Sequence, residues 1–344
     1  MKLKVGVIGC RRGRLFMTAF NNHPDTTVEA ICDSDKEELQ AVAEEKGIEN
    51  IFTDYRVMLK TNIDIVVIAT PPSYHAEISV KALKAKKHVL CEVPAALTLK
   101  ECELLVDTVQ KTGMKYMMAE NCRFYSVVEE MKKLKEKGKL GDIFYGEGEY
   151  MHDCRALFTN PDGYTTWRAT FPPSSYLTHT SGPIMYILGE RFVEVMAYGN
   201  SKVENRWNTN NLEVGLFRTE KGAIVKILNC FALSRPYLMY YSIYGSKGCV
   251  ERTRVAEEPD RTYFSGEEEM MKPFIYQEVR PSPLNLPGTH EGSENVMVHE
   301  FIESILKDTT PPIDIYTAID YTLPGICALD SIHKNQAVKI PHLQ

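Results

Sequence analysis

Short apolar runs alternate with stretches of helical periodicity through the first 120 residues, and this alternation constrains the fold more than any other feature. Leu3 to Ile8 reads as a buried strand, with a helix behind it from about Arg14 to Asn21. Val28 to Cys32 and Lys36 to Lys46 repeat the pair. Ile63 to Ala69 leads to a helix over His75 to Ala85, and His88 to Cys91 to one over Leu99 to Thr112. Lys115 to Met118 is a fifth strand. Strands separated by helices of this length form βαβ units, and right-handed crossovers wind them into a parallel sheet. The expectation is an α/β Rossmann fold, a doubly wound parallel sheet, over residues 1–122.

From residue 123 the texture changes. After a helix over Val127 to Lys137, the run G-D-I-F-Y-G-E-G-E-Y-M-H from Gly141 alternates with the period of a strand. Val193 to Tyr198, Leu212 to Arg218, Ala223 to Phe231 and Tyr240 to Tyr244 do the same, and E-K-G at Glu220 reads as a hairpin turn. Residues 123–344 are expected to form an α+β substrate-binding domain around a mostly antiparallel open sheet. Met297 to Leu306 and Ala318 to Asn335 read as helices that can pack back on the first domain. The Pro- and Glu-rich stretch Glu257 to Pro287 reads as loops or extended segments. An open sheet with helices on one side leaves an apolar face, so a homo-oligomer, dimer or tetramer, is expected.

A net charge of −6 without any basic tract argues against nucleic acid. Lys132 to Lys139 is broken by Glu136 and reads as a solvated helix face. The nine cysteines stand singly, with no C-x-x-C, so no disulfide framework and no metal is expected. No apolar run approaches the ~20 residues of a membrane span. The N-terminus enters a strand at once and lacks the features of a signal peptide. The expected location is the cytoplasm.

The first strand ends in G-V-I-G-C-R-R-G-R. Glycines at a strand–helix junction let the backbone approach a pyrophosphate, which the free N–H groups of the helix stabilise. The fingerprint is altered here: Arg11 stands where a second glycine belongs, and Gly13 comes one residue early. Gly9, Cys10, Arg11, Arg12 and Gly13 are the candidate cradle, although a plain tight turn gives the same pattern. Asp33 follows the second strand, 24 residues after Gly9, where a carboxylate accepts both ribose hydroxyls and repels a 2′-phosphate. That favours NAD over NADP; the competing reading is that Asp33 caps the helix at Lys36. Arg11, Arg12 and Arg14 either neutralise the diphosphate or are solvated. A third marker, A-T-P-P-S-Y-H from Ala69 to His75, closes the third strand at the crevice edge.

These motifs resemble those of the glucose–fructose oxidoreductase, inositol dehydrogenase and MocA (Gfo/Idh/MocA) family. V-G-V-I-G-C at Val5, C-D at Cys32, A-T-P-P-S-Y-H at Ala69, K-H-V-L-C-E-V-P at Lys87 and I-Y-G-S-K-G-C-V-E at Ile243 carry the likeness in family order. A closer likeness, running through about Asn200, is to the NAD-dependent glycoside hydrolase family 109 branch. It rests on C-E-V-P-A-A-L-T at Cys91, M-M-A-E-N-C-R-F-Y at Met117, G-E-G-E-Y-M-H-D at Gly146, W-R at Trp167 and Y-L-T-H-T-S-G-P at Tyr176. The resemblance implies a sugar or glycoside substrate and hydrolysis without net redox: transient oxidation by NAD, elimination, water addition and re-reduction. It also implies that Thr70, Pro71, His75, Glu92, Val93 and Asn121 lie along the cofactor. Ordinary family members carry E-K-P, whose lysine exchanges a proton with the reacting hydroxyl; here that position is Val93, as in the hydrolase branch.

A positioned proton donor or acceptor is worth about 10²–10⁴ in rate, so either another group supplies it or the chain is not an ordinary dehydrogenase. Tyr176 and His179 stand three apart, before a helix that Pro183 suits as a first-turn residue. His179 reads as a base or as a capping histidine, and Tyr176 as its neighbour or as packing. Alternation puts Tyr150 and His152 on one strand face, facing a sugar or packed under a helix. Glu120, Arg123, Arg155, Trp167 and Arg168 are candidate sugar contacts, with salt bridging the alternative for each arginine. Two rival functions remain open: an ordinary NAD-dependent sugar or polyol dehydrogenase, and a non-enzymatic NAD-binding sensor.

Overall fold

The opening run LKVGVI forms β1 (Leu3–Ile8) at the centre of a six-stranded parallel sheet. The computed structural model describes residues 2–160, 162–203, 206, 209–255, 257–277 and 292–344. The 278–287 part of the Pro- and Glu-rich stretch lies outside the described residues. The chain divides into two units: Met1–Phe124 with Arg280–Ile319 and Leu343–Gln344, and Tyr125–Val279 with Asp320–His342.

In the first unit the chain runs through α1 (Cys10–Asn22), β2 (Thr26–Cys32), α2 (Lys36–Lys46), β3 (Asn50–Phe52) and α3 (Tyr55–Met58). It continues through β4 (Ile65–Ile68), α4 (His75–Lys84), β5 (His88–Cys91), α5 (Leu99–Thr112) and β6 (Tyr116–Met118). The strand order is β3-β2-β1-β4-β5-β6, so the winding reverses between β1 and β4. The turns after these two strands therefore lie side by side at the carboxyl edge, where open α/β sheets take ligands. Three features differ from the sequence reading, the single-turn helix α3 among them. Helix α1 begins at Cys10 rather than Arg14, and Gly13 lies inside it, where a Cβ would meet Val7 Cγ1 at 2.6 Å. The three-residue edge strand β3 was not expected; it is too short and too exposed to carry a pattern.

The second unit runs from α6 (Ser126–Glu136) and β7 (Ile143–Met151) to α7 (Thr178–Leu188), β8 (Phe192–Asn200), β9 (Leu212–Thr219) and β10 (Ile224–Cys230). β11 (Leu238–Gly245), β12 (Gly248–Glu251), β13 (Arg261–Phe264) and β14 (Lys272–Pro273) follow. With β15 (Val338–Lys339) they make a nine-stranded sheet, ordered β14-β13-β12-β11-β7-β10-β9-β8-β15. Every pair is antiparallel except β7 with β10. Val195, Phe217, Val225, Ile227, Tyr241 and Ile243 form its buried face. Gly148 lets α7 approach that face, since a Cβ there would stand 3.1 Å from Thr180 Cβ. Leu216, Tyr198 and Ile224 point the other way and are exposed.

Near the C-terminus α8 (Ser293–Leu306) packs on α1, and α9 (Ile315–Lys334) follows.

Candidate active site

In the first unit the polar groups gather where β1, β4 and β5 end. Gly9 adopts φ +92°, and a Cβ there would meet the Ala69 carbonyl oxygen at 2.5 Å, so only glycine closes this turn. Its N–H still donates to Cys32 O across the ladder (2.9 Å). Asp33 Oδ2 accepts the Cys10 N–H at 2.7 Å and Oδ1 the Asp35 N–H at 2.9 Å. Asp33 is not the cap of α2: Asp35 is, accepting from Glu37 and Glu38. Thr70 Oγ1 is buried with no hydrogen-bond partner among the described residues.

The arginines divide by partner. Arg11 is exposed on α1. Arg12 Nε donates to Glu92 Oε1 at 2.5 Å, and Arg14 pairs with Glu38 and Glu45, so neither Arg12 nor Arg14 is simply solvated. Burial pushes the Glu92 carboxyl up, but Arg12 outweighs it and holds the group below the ordinary carboxylate range. Val93 is buried, with Pro94 after it, and brings no ionisable group. His75, the first residue of α4, has Nδ1 2.8 Å from Pro94 O and Nε2 2.8 Å from Thr70 O. Its pKa is raised to about 9: burial disfavours the charge, and Cys91 and the two carbonyls overcome it. After β6, Glu120 accepts the Cys122 N–H (3.1 Å) and Asn121 is buried beside it. Arg123 stacks 4.5 Å over the Phe124 ring.

In the second unit the four residues read as catalytic come together. Tyr150, the penultimate residue of β7, lies 2.9 Å through its hydroxyl from His152 Nδ1. Its ring centroid is 5.4 Å from His179 and 5.9 Å from Tyr176, and Tyr176 stands edge-on to His179 at 4.7 Å. His179 corrects the sequence reading. Helix α7 starts at Thr178, so Pro183 lies inside it and His179 occupies its first turn rather than a preceding loop. The structure shows how the proline is tolerated. Pro183 has no N–H for the His179 carbonyl four residues back, and the Tyr241 hydroxyl donates to that carbonyl instead, at 2.7 Å.

Burial, then Tyr176, pushes the Tyr150 phenol well above its ordinary pKa. Burial, then Arg168, pulls His152 below the usual imidazole value. At neutral pH Tyr150 thus keeps its proton and His152 Nδ1 is free to accept it. Arg155 is tied by a two-pronged pair to Asp153 at 2.8 and 2.6 Å. Arg168 lies 4.4 Å over Trp167, which stands edge-on to Phe171.

Sequence reasoning missed Asn229, Tyr237 and Phe231. Asn229 donates to the Pro173 and Tyr176 carbonyls (3.1 and 3.2 Å), fixing the turn that presents Tyr176. Tyr237 packs edge-on against His152 at 5.3 Å, and Phe231 against Tyr150 and Tyr176. Only the period-two pattern of β10 pointed to Asn229, as a polar residue on an apolar face.

A Rossmann sheet with a glycine turn and an acidic residue closing β2, in one chain with an open-sheet unit carrying a tyrosine–histidine cluster, defines a two-domain nucleotide-dependent enzyme. Residues 3–120 match the oxidoreductase family with an NAD-binding Rossmann fold, and residues 128–251 match the GFO/IDH/MocA C-terminal domain. The chain belongs to the Gfo/Idh/MocA family and is an NAD-dependent enzyme of it. A glycosyl hydrolase family 109 protein of Solibacter usitatus is 26% identical, over 97% of this chain and 86% of that protein. One from Streptomyces niveus is 26% identical over 97% and 75%. In fold the chain is similar to levoglucosan dehydrogenase solved with NADH (TM-score 0.87, 22% identity, 100% of both chains). It is also similar to scyllo-inositol dehydrogenase from Lactobacillus casei with bound NAD(H) and scyllo-inositol (TM-score 0.80, 20%, 99% of both). The residues at the ends of β1 and β4 fit the cofactor: Gly9, with φ +92°, brings the β1–α1 turn hard against Ala69, and Thr70 Oγ1, just after β4, is a buried hydroxyl with no partner among the described residues.

Proposed function

We propose that this chain cleaves glycosides with NAD used catalytically, so that the sugar is oxidised, eliminated, hydrated and reduced again without net redox. The observation that carries this reading is the cluster of Tyr150, His152, Tyr176 and His179 in a chain whose usual lysine position is the buried Val93. Gly9, Cys10, Arg11, Arg12 and Gly13 would hold the diphosphate and Asp33 the ribose, with Thr70, Pro71, His75, Glu92, Val93 and Asn121 on the nicotinamide side. Bound there, NAD supplies a reversible hydride acceptor. Tyr150 takes the proton of the reacting hydroxyl as its own moves to His152 Nδ1, which the 2.9 Å contact and the low imidazole pKa support. His179, with Tyr176 against its ring, takes the carbon-bound proton that elimination requires. Trp167, Arg168, Arg155, Glu120 and Arg123 are proposed sugar contacts, Trp167 offering its ring to the pyranose C–H face.

The relatives named as family 109 glycosyl hydrolases support this reading; the sugar dehydrogenases of like fold support the simpler one, an ordinary NAD-dependent sugar dehydrogenase. The two separate in one experiment. Nitrophenyl glycosides are incubated with and without NAD in deuterium oxide, following nitrophenol, NADH and product NMR. Glycoside cleavage should require NAD without consuming it and should leave deuterium at sugar carbon 2. Stoichiometric NADH without nitrophenol would mean a dehydrogenase. Cofactor binding without turnover would mean a sensor.

We further propose that the protein works in the cytoplasm as a homo-oligomer. No helix among the described residues is long and apolar enough to cross a membrane. All nine cysteines are free thiols, as a reducing compartment allows.

A further inference from the structure

His23 follows the end of α1, and His299 and Glu303 lie one turn apart on α8. His23 Nε2 is 3.1 Å from His299 Nδ1, and one ligand atom from each of the three residues lies within 4.8 Å of the others. The proposed reaction uses none of them. His23 is buried, while His299 and Glu303 are half-buried and keep the cluster open to solvent.

We propose that His23, His299 and Glu303 bind one zinc-class divalent ion, with water completing the shell. Two imidazoles and a carboxylate suit a borderline transition ion; magnesium and calcium call for oxygen. Nitrogens bound to one zinc at about 2.0–2.1 Å stand roughly 3.3 Å apart in a tetrahedron, so the pair needs little movement. Without metal the contact holds a proton. The Asp25 N–H donates to His23 Nδ1 (3.2 Å), which puts the ring proton on Nε2, facing His299. Metal uptake would move that proton to Nδ1, breaking the bond from the Asp25 N–H, which turns to solvent as the exposed Asp25 carboxylate, now 4.0 Å away, swings in to accept the proton. Lys307 pairs with Glu303 Oε2 and, largely exposed itself, yields to the metal. The ion would tie α8 to the end of α1, joining residues 276 positions apart.

The test uses the full chain, stripped with chelator and titrated with zinc by calorimetry, with bound metal counted by emission spectrometry. One zinc per chain and a raised melting temperature are expected. His299→Ala should abolish binding, and Glu303→Gln should weaken it at least about tenfold, in chains whose circular dichroism is unchanged. Cobalt in place of zinc should show no thiolate charge-transfer band. Zinc uptake by His299→Ala equal to that of the unmodified chain, a thiolate band, or no stoichiometric uptake at micromolar zinc would each overturn the proposal.

Discussion

At the scale of single residues, His75 is the most constrained side chain of the cofactor half. With a carbonyl oxygen 2.8 Å from each ring nitrogen, it satisfies both only as imidazolium. A pKa raised in the fold to about 9 means that its stabilisation is complete below the ordinary histidine value of 6.5 and is lost as pH rises through about 9. The shift is worth about 3 kcal/mol. Urea unfolding of the parent and His75→Gln should therefore differ most near pH 6, with the gap narrowing by about that amount towards pH 9.5. A gap independent of pH would refute a charged His75. Asp33 makes a second prediction. Its carboxylate braces the Cys10 N–H, so Asp33→Ala should weaken NAD binding and erode the preference over NADP, measured by cofactor titration. Equal affinity for the two cofactors in the parent would remove the ribose assignment. In the second unit, His152→Asn should lower kcat by about 10²–10⁴. Because His152 is held below the usual imidazole range, the acid limb of the parent's pH profile should fall below the ordinary histidine value. Were His152 merely packing, the variant would keep that profile.

At the scale of elements, the join of α7 to β11 fixes the backbone of the residue proposed as the base. Pro183 strips the His179 carbonyl of its helical partner and Tyr241 replaces it from the sheet, so the histidine's backbone is held by a strand. Tyr241→Phe removes that donor from a buried site and should cost about 1–3 kcal/mol in calorimetric stability. It should also lower kcat more than it changes KM, since it frees the turn carrying His179; an unchanged kcat would show that the tie is structural only. The sequence disclosed the residues but not this arrangement. Periodicity was enough to place β1, β5, α2 and α5, whose apolar spacing is set by burial on known faces. It was not enough for β3, with its two exposed residues, or for β12 to β14, which are two to four residues long, too short to show a period. Tyr150, His152, Tyr176 and His179 were legible through motif likeness. Tyr237, Tyr241 and Asn229 were not, because their roles come from strand register between segments dozens of residues apart, which local pattern does not encode.

At the scale of the whole molecule, the open face of the nine-stranded sheet asks for a cover. Strand register sets Met196 beside Leu216 and Lys226, and Tyr198 beside Val214, on the side away from α7. Leu216 and Tyr198 are 54% and 59% exposed, and Ile224 stands nearby on the same face. Adjacent exposed apolar side chains on a regular, flat element are the pattern of a protein contact rather than of solvated surface. A second copy is the simplest partner, since a two-fold contact presents the same patch from both sides and uses each substitution twice. Burying one leucine is worth about 1.5–3 kcal/mol, so Leu216→Glu removes that contribution from both copies and should raise a dimer's dissociation constant by about 10²–10⁴. Sedimentation velocity at micromolar concentration should show a dimer or larger species for the parent and monomer for Leu216→Glu, with circular dichroism unchanged between them. A monomeric parent would leave the face to some other partner. An oligomer that survives Leu216→Glu intact would place the subunit contact away from β9.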